Sequence, residues 1–168
     1  MSKREIVNNL IIKSKNIIIK KFKTSEIDAK FLNDLNNPIL FKFSRHKNVK
    51  HTFRSSIKYI KSLPKDSIYL SIKLKKKNEI IGSMTINFQK NFLSADIGIL
   101  INSKKYFGKG YGLESWINTV NFLSDKVKIR KITGGCEKNN ISMLKLFNAS
   151  EMKPFKKIGS KIYFVRNN

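Results

Sequence analysis

The chain has 168 residues and a formal net charge of +24 at pH 7, a size that suits one domain with a proper core. It has no apolar run long enough to cross a bilayer, and its start lacks the small-residue cleavage site of a signal peptide. Its single cysteine, Cys136, excludes an internal disulfide framework and a CxxC metal pair. We therefore expect one domain over residues 1–168, located in a reducing cytoplasm and without a metal ion.

The positive charge comes almost entirely from lysine, since only five of the 35 basic residues are arginine. Recognition of phosphates and bases by paired hydrogen bonds favours arginine. Lysine, isoleucine and asparagine, which crowd this chain, are also the residues that an AT-rich genome encodes most readily. The charge therefore indicates solvated faces rather than a nucleic-acid partner, although a basic nucleic-acid-binding module stays the alternative from another class. A positive surface also steers anionic substrates, and coenzyme A is one.

The first half of the chain predicts strands and helices in a mostly antiparallel order. β-Branched residues predict a strand over 16–22, and Thr24 or Ser25 then caps an amphipathic helix. Thr52 opens a second helix of the same kind. Two segments with alternating apolar and polar residues follow and predict a hairpin, over residues 67–74 and 79–88.

The second half predicts a strand–helix–strand unit and a closing hairpin. The strand over 93–101 becomes increasingly apolar toward its end, and its Gly98 indicates a β-bulge or a close backbone approach. A later helix is capped by Asn139 or Asn140. The other elements expected here are a helix, a strand and the two strands of the hairpin, over residues 111–123, 129–136, 155–158 and 161–165.

Three alternating glycines, Gly108, Gly110 and Gly112, lie directly between the predicted strand 93–101 and the following helix. Glycine lets the backbone come close to a ligand, while the first N–H groups of a helix point at it. This order predicts a site for a phosphate-bearing cofactor. The spacing matches neither the P-loop pattern GxxxxGK[ST] nor the dinucleotide fingerprint GxGxxG.

The glycine loop, the helix after it and an Asn-led helix with N-x-x-S, Asn139 and Ser142, together resemble the GNAT superfamily of acyl-CoA N-acyltransferases. The resemblance runs over about residues 16–165 and is closest to the branch of ribosomal-protein N-terminal, polyamine and sugar acetyltransferases. In the family pattern Q/R-x-x-G-x-G/A, Gly110 and Gly112 occupy the glycine positions, and Phe107 stands where Gln or Arg is usual.

The resemblance implies an α/β (α+β) fold with a mixed, mostly antiparallel central sheet of six to seven strands and about four flanking helices. It also implies a V-shaped splay between the fourth and fifth strands, 93–101 and 129–136. Acetyl-CoA would be the cofactor: the fourth strand would pair with its pantetheine arm, the loop would bind its pyrophosphate, and Asn139 would contact the pantetheine or the leaving thiolate. The implied cofactor-binding residues are Gly98, Ile99, Leu100, Ile101, Phe107, Gly108, Lys109, Gly110, Tyr111, Gly112, Leu113 and Asn139.

The implied reaction is direct transfer of an acetyl group to a primary amine in a ternary complex. Asp96 is the candidate base because a carboxylate on this strand lies near where the acyl group emerges. The alternative is a solvated aspartate on the outer face of the strand. Many relatives carry a tyrosine acid seven residues after the asparagine; here that position is Leu146, which leaves Ser142 as a weak substitute.

The acceptor side of the implied fold contains the basic stretch with both histidines. Arg45, His46 and His51 are therefore candidate substrate-binding residues, the alternative being surface histidines without a role. Similarity to acetyltransferases of surface-polysaccharide pathways favours a nucleotide-linked amino sugar as the small-molecule amine, with protein N-terminal acetylation as the runner-up. A homodimer is left open.

Overall fold

The structure, a computed structural model, describes residues 1–42, 49–89 and 91–168. Its centre is one eight-stranded sheet with helices on both faces. The strands are β1 (Ile11–Lys13), β2 (Ile17–Lys21), β3 (Ser67–Leu74), β4 (Glu79–Gln89), β5 (Ser94–Ile101), β6 (Lys131–Glu137), β7 (Lys153–Ile158) and β8 (Lys161–Asn167). The helices are α1 (Lys3–Asn8), α2 (Ala29–Leu35), α3 (Phe53–Ser62), α4 (Tyr111–Asp125) and α5 (Ile141–Ala149). Short 3-10 turns lie at Thr24–Glu26, Pro38–Phe41 and Lys104–Tyr106.

The strand order across the sheet is β1-β2-β3-β4-β5-β6-β8-β7, and every neighbouring pair is antiparallel except β5 and β6. The predicted fold class is thus confirmed, with eight strands and five helices among the described residues. The additional elements are α1 and β1. Their six and three residues are too few to show a periodic pattern, although Ser2 caps α1 through a reciprocal bond with Glu5.

The expected splay lies between β5 and β6. The parallel ladder that joins them has only three pairs, and the last is Asp96 with Thr133. On its other side β5 stays paired with β4 as far as Ile101. Among the described residues, the edge of β5 that faces β6 therefore has no strand partner beyond Asp96, and a V-shaped slot opens toward the carboxyl end of the strand.

The predicted bulge at Gly98 is wrong. The register between β4 and β5 is continuous from the Gln89–Ser94 pair to the Gly82–Ile101 pair, and Gly98 lies opposite Thr85. The irregularity of this region lies instead in β4, where the register with β3 shifts between Ile72 and Lys73. A side chain at Gly98 would meet no atom within 4 Å, so this glycine leaves the sheet face open rather than bending the strand.

The start of α2 differs in detail from the sequence prediction. Asp28, rather than Thr24 or Ser25, caps α2 by accepting from the Phe31 N–H at 2.7 Å, because residues 24–26 form a separate 3-10 turn. For α5, the cap is Asn140, one of the two residues predicted for it. Thr52 caps α3 as predicted.

Two apolar clusters hold the helices on the sheet. The larger one joins one face to α1, α4 and α5, and its centre includes Trp116, whose indole N–H donates to Ser150 Oγ at 3.0 Å. The smaller one joins the other face to α2 and α3 through Phe22, Phe31 and Tyr69. No helix within the described residues is long and apolar enough to cross a membrane.

Candidate active site

The glycine loop forms an open turn in front of α4. Gly108 and Gly110 have φ angles of 70° and 82°, which other residues rarely adopt, and Gly110 is the N-cap residue directly before the helix. The first helical bond runs from the Glu114 N–H to the Gly110 carbonyl at 2.9 Å. The N–H groups of Tyr111, Gly112 and Leu113 therefore have no acceptor within the helix, and they lie at the positive end of its dipole.

Partly buried polar bonds hold the residues that precede the loop. The Tyr106 side chain is buried, and its hydroxyl donates to Glu79 Oε2 at 2.5 Å, while Lys30 Nζ lies 2.9 Å from Glu79 Oε1. Burial raises the pKa of Glu79, but the bonds from Tyr106 and Lys30 outweigh it, so that the pKa lies below its usual value. An ionised Glu79 thus fixes the loop to β4.

Two lysines bring positive charge to the loop. Lys105 Nζ lies 5.2 Å from the centre of the Tyr106 ring, and Lys109 Nζ lies 5.8 Å from it. The Phe107 side chain is 40% exposed beside them. Backbone donors, a helix N-terminus and two cations make this region suited to an anionic group such as a pyrophosphate.

Asp96 lies at the apex of the slot between β5 and β6. The Thr133 hydroxyl donates to Asp96 Oδ1 at 2.8 Å across the last pair of the parallel ladder. Burial raises the pKa of Asp96, and the bond from Thr133 opposes this only in part. Asp96 is therefore a partly buried carboxyl with one hydroxyl partner, rather than a solvated aspartate on an outer face.

The side chains around the start of α5 differ in whether they are free to bind a ligand. Asn139 is exposed, and among the described residues its side chain has no hydrogen-bond partner, whereas the Asn140 side chain accepts from the Met143 N–H at 3.2 Å. Ser142 is exposed in the first turn of α5. Leu146, at the position of the family's tyrosine, is buried in the core. Asn139 and Ser142 are thus open to a ligand, while residue 146 is not.

A cavity of about 390 Å³ lies between helices α2 and α3 and the face formed by β3, β4 and β5. We call it the α2–α3 cavity. Its lining residues are Phe31, Leu35, Val49, His51, Ser55, Ser56, Tyr59, Ile60, Tyr69, Ser83, Thr85, Gly98, Ile99 and Leu100. Three successive residues of β5 therefore border both this cavity and the slot beside β6.

His51 is the predicted acceptor-side residue that lines the α2–α3 cavity. Its backbone is held on both sides by Asn36, whose Oδ1 accepts from the His51 N–H at 2.7 Å and whose Nδ2 donates to the His51 carbonyl at 2.8 Å. Arg45 and His46 lie outside the residues that the structure describes.

Most of the residues that line the α2–α3 cavity were not predicted from the sequence. Tyr69, Thr85 and Gly98 form one row across β3, β4 and β5, because each is directly paired with the next. Their alternation along each strand was visible in the sequence, but the register that aligns them was not. Ser56 in α3 likewise belongs to no motif.

A family model described as an acetyltransferase (GNAT) domain matches residues 16–153. The chain belongs to the GNAT acetyltransferases. It is therefore an N-acetyltransferase that depends on acetyl-CoA. The loop fits this cofactor, because side chains at Gly108 or Gly110 would meet no atom within 4 Å and the N–H groups after them are not used by the helix.

Similar solved structures support the GNAT fold. The acetyltransferase (GNAT family) from Bacillus anthracis is 18% identical, with a TM-score of 0.78 over 94% of this chain and 98% of that chain. FdhC, a nucleotide-linked sugar GNAT, is 16% identical, with a TM-score of 0.76 over 95% and 90%. RimL, a ribosomal L7/L12 alpha-N-protein acetyltransferase in complex with coenzyme A, is 14% identical, with a TM-score of 0.77 over 94% and 98%. No curated protein matches the chain significantly in sequence.

Proposed function

We propose that this GNAT enzyme transfers an acetyl group directly to a primary amine seated in the α2–α3 cavity, and that the amine belongs to a nucleotide-linked amino sugar. One observation carries the proposal. Gly98, Ile99 and Leu100 of β5 line the cavity. The edge of β5 that is not paired with β4 opens into the slot beside β6. An acceptor in the cavity and a cofactor in the slot would therefore meet at the same three residues.

Acetyl-CoA supplies an activated acetyl thioester. The chain's own residues have to bind it, remove a proton from the amine and stabilise negative charge on the carbonyl oxygen. The loop from Phe107 to Leu113 and the exposed Asn139 would bind the cofactor. Backbone N–H groups of β5 beyond Asp96 would donate to the carbonyl oxygen.

Asp96 is the proposed base. It lies two residues before Gly98 on the same face of β5, which is about 7 Å along a strand, so that a bridging water would carry the proton. Its raised pKa makes it a better proton acceptor than an ordinary aspartate. Ser142, exposed in the first turn of α5, is the candidate donor to the leaving thiolate.

The low reactivity of the single cysteine, Cys136, supports direct transfer over a covalent acyl-enzyme. Burial, and then the neighbouring charge of Glu137, raise the pKa of the Cys136 thiol. A thiol protonated at neutral pH is a poor nucleophile, so an acyl-enzyme on this residue is disfavoured.

The sugar acceptor is supported by the cavity walls, which include both aromatic rings and short hydroxyl side chains, and by the likeness to FdhC. The similar likeness to RimL supports protein N-terminal acetylation as the second candidate.

A panel of amines, assayed by thiol release and by the mass of the product, tests the choice. It should contain nucleotide-linked amino sugars, peptides with a free N-terminus and spermidine. The highest kcat/KM should belong to an amino sugar. A peptide that is acetylated faster than every sugar would establish the second candidate, and absence of turnover with all amines would refute both.

A further inference from the structure

A series of polar contacts joins the cofactor loop to the wall of the α2–α3 cavity. Tyr106, which directly precedes the loop, donates its hydroxyl to Glu79 Oε2 at 2.5 Å. The other oxygen of this carboxylate, Oε1, lies 2.9 Å from Lys30 Nζ. Lys30 belongs to α2, and the next residue of that helix, Phe31, lines the cavity. One carboxylate of β4 therefore contacts both the segment before the loop and the helix that forms a cavity wall.

Tyr106 is the member of this series that lies closest to the cofactor loop. The centre of its ring lies 5.2 Å from Lys105 Nζ and 5.8 Å from Lys109 Nζ. The Tyr111 ring, at the start of α4, packs edge-on against it with the ring centres 5.8 Å apart. A pyrophosphate at the loop would attract both ammonium groups and hold the start of α4. Binding of acetyl-CoA should therefore restrict the Tyr106 side chain.

Helix α2, at the other end of the series, is suited to respond. It has only seven residues, and a helix of that length is not stable in water by itself, so that its position depends on its contacts. Phe31 and Leu35 of this helix line the cavity. Between residues that the structure describes, the pair of Lys30 with Glu79 is the only ion pair that joins α2 to another element. A restricted Glu79 would thus restrict the cavity wall.

The exposure of the Lys30–Glu79 pair limits how strong this effect can be. The Lys30 side chain is 49% exposed, and that of Glu79 is 16% exposed. An ion pair at a partly exposed site contributes little to stability, because water screens the charges. The pair can therefore shift an equilibrium about twofold to fivefold, and not by orders of magnitude.

We propose that Glu79 is a positioning residue that couples the two substrate sites: acetyl-CoA bound at the loop acts through Tyr106, Glu79 and Lys30 to order α2 and the cavity wall that it forms. The coupling itself needs only the cofactor. Its benefit for the amine rests on the proposed function, in which the acceptor occupies the α2–α3 cavity. By linkage, an amine in the cavity would strengthen acetyl-CoA binding by the same factor.

Hydrogen exchange of backbone amides, measured with and without saturating acetyl-CoA, tests the coupling. In the wild type, exchange should slow at the start of α4 and also, about twofold to fivefold, in α2. Lys30→Met should keep the first effect and lose the second, because the bond between Tyr106 and Glu79 stays in place. Asp34→Asn is the matched control: it removes the other ion pair of Lys30, at 2.7 Å, and should keep both effects.

Three results would overturn the coupling: no slowing of exchange in α2 of the wild type, equal slowing in Lys30→Met, or loss of the slowing in Asp34→Asn. The last would mean that the stability of α2, rather than its link to Glu79, controls the response.

Steady-state kinetics with the best amine acceptor separate this coupling from the proposed function. Lys30→Met should raise KM for the amine about twofold to fivefold and change kcat less than KM, whereas Asp34→Asn should leave KM near the wild-type value. If α2 loses its response to acetyl-CoA in Lys30→Met while KM stays the same, the coupling holds and the placement of the acceptor in the cavity fails. If the response persists in Lys30→Met, the coupling fails and acetyl transfer to an amine in the cavity is unaffected.

Discussion

At the scale of single residues, Asp96 combines a position at the apex of the slot with a raised pKa. The cause is burial, so that the folded protein prefers the protonated form of this carboxyl. The ionised form of Asp96 consequently contributes no stability to the fold. The stability contributed by the protonated form is fully present below the unfolded pKa and is lost as pH rises through the folded pKa. A role in stability and a role in proton transfer are therefore separable by substitution.

Asp96→Asn should lower kcat about 100-fold at neutral pH, because the proton acceptor is lost, while the melting temperature stays the same or rises. The acid limb of the pH–rate profile, expected above the ordinary aspartate value of 3.8, should disappear as well. Asp125→Asn, at an exposed carboxyl, is the control. Wild-type kcat in Asp96→Asn would exclude this residue as the base.

Gly110 and Gly159 form a matched pair for the cofactor loop. Both have positive φ angles, 82° and 56°, and a side chain at either would meet no atom within 4 Å. Alanine at each should cost about 1 kcal/mol of stability through backbone strain. Only Gly110→Ala should also weaken acetyl-CoA binding, by about tenfold in calorimetry, since it distorts the start of α4. Equal affinities in the two variants would contradict the placement of the pyrophosphate.

At the scale of elements, α4 is tied to the turn between β1 and β2 by one carboxylate. Glu114 accepts from the Ser14 hydroxyl at 2.5 Å, from the Asn16 N–H at 2.7 Å and from Asn16 Nδ2 at 2.9 Å. Burial raises the pKa of Glu114, but these bonds outweigh it and hold the pKa below its usual value. The helix that begins with the cofactor loop is thereby fixed to the far edge of the sheet.

Glu114→Gln should lower the melting temperature by about 2–4 °C, which corresponds to about 1 kcal/mol for the loss of charge-assisted bonds in a partly exposed site. Glu151→Gln, at an exposed glutamate, should change it little. Thermal unfolding followed by circular dichroism measures both. Equal melting temperatures for the two variants would mean that the turn does not hold α4.

The secondary-structure elements show which parts of the fold and of the site could be predicted from the sequence alone. The strand over 67–74 was predicted with its observed bounds, because its alternation matches one buried face. The loop was predictable since all its residues are contiguous. The α2–α3 cavity was not, because its walls come from separate strands whose register is set by tertiary pairing. The bulge expected at Gly98 was wrong for a different reason, because a glycine in a strand can mark a bulge, a close backbone approach or open space.

At the scale of the whole molecule, three glutamates form the main acid-sensitive contacts. Burial raises the pKa of Glu26, but bonds from the Lys23 N–H and from Lys73 outweigh it, and Glu79 and Glu114 are held low in the same manner. A depressed carboxyl pKa contributes stability that is present above the unfolded value of 4.5 and is lost as pH falls through the folded value. Self-repulsion from the net charge of +24 adds to the loss.

The melting temperature should therefore stay nearly constant between about pH 6 and pH 8 and fall steeply below about pH 4.5. Added salt should restore part of the loss by screening the repulsion among lysines. Circular dichroism melts at several pH values and two ionic strengths check this. A melting temperature that is unchanged at about pH 3 would show that these contacts contribute little.

Cofactor and acceptor should meet at Gly98 to Leu100 and react directly, without an acetylated enzyme. Initial velocities measured while both substrates are varied test it best. We predict intersecting lines in the double-reciprocal plot and no acetyl group on the protein by mass spectrometry. Parallel lines, together with acetylated Cys136, would contradict the account.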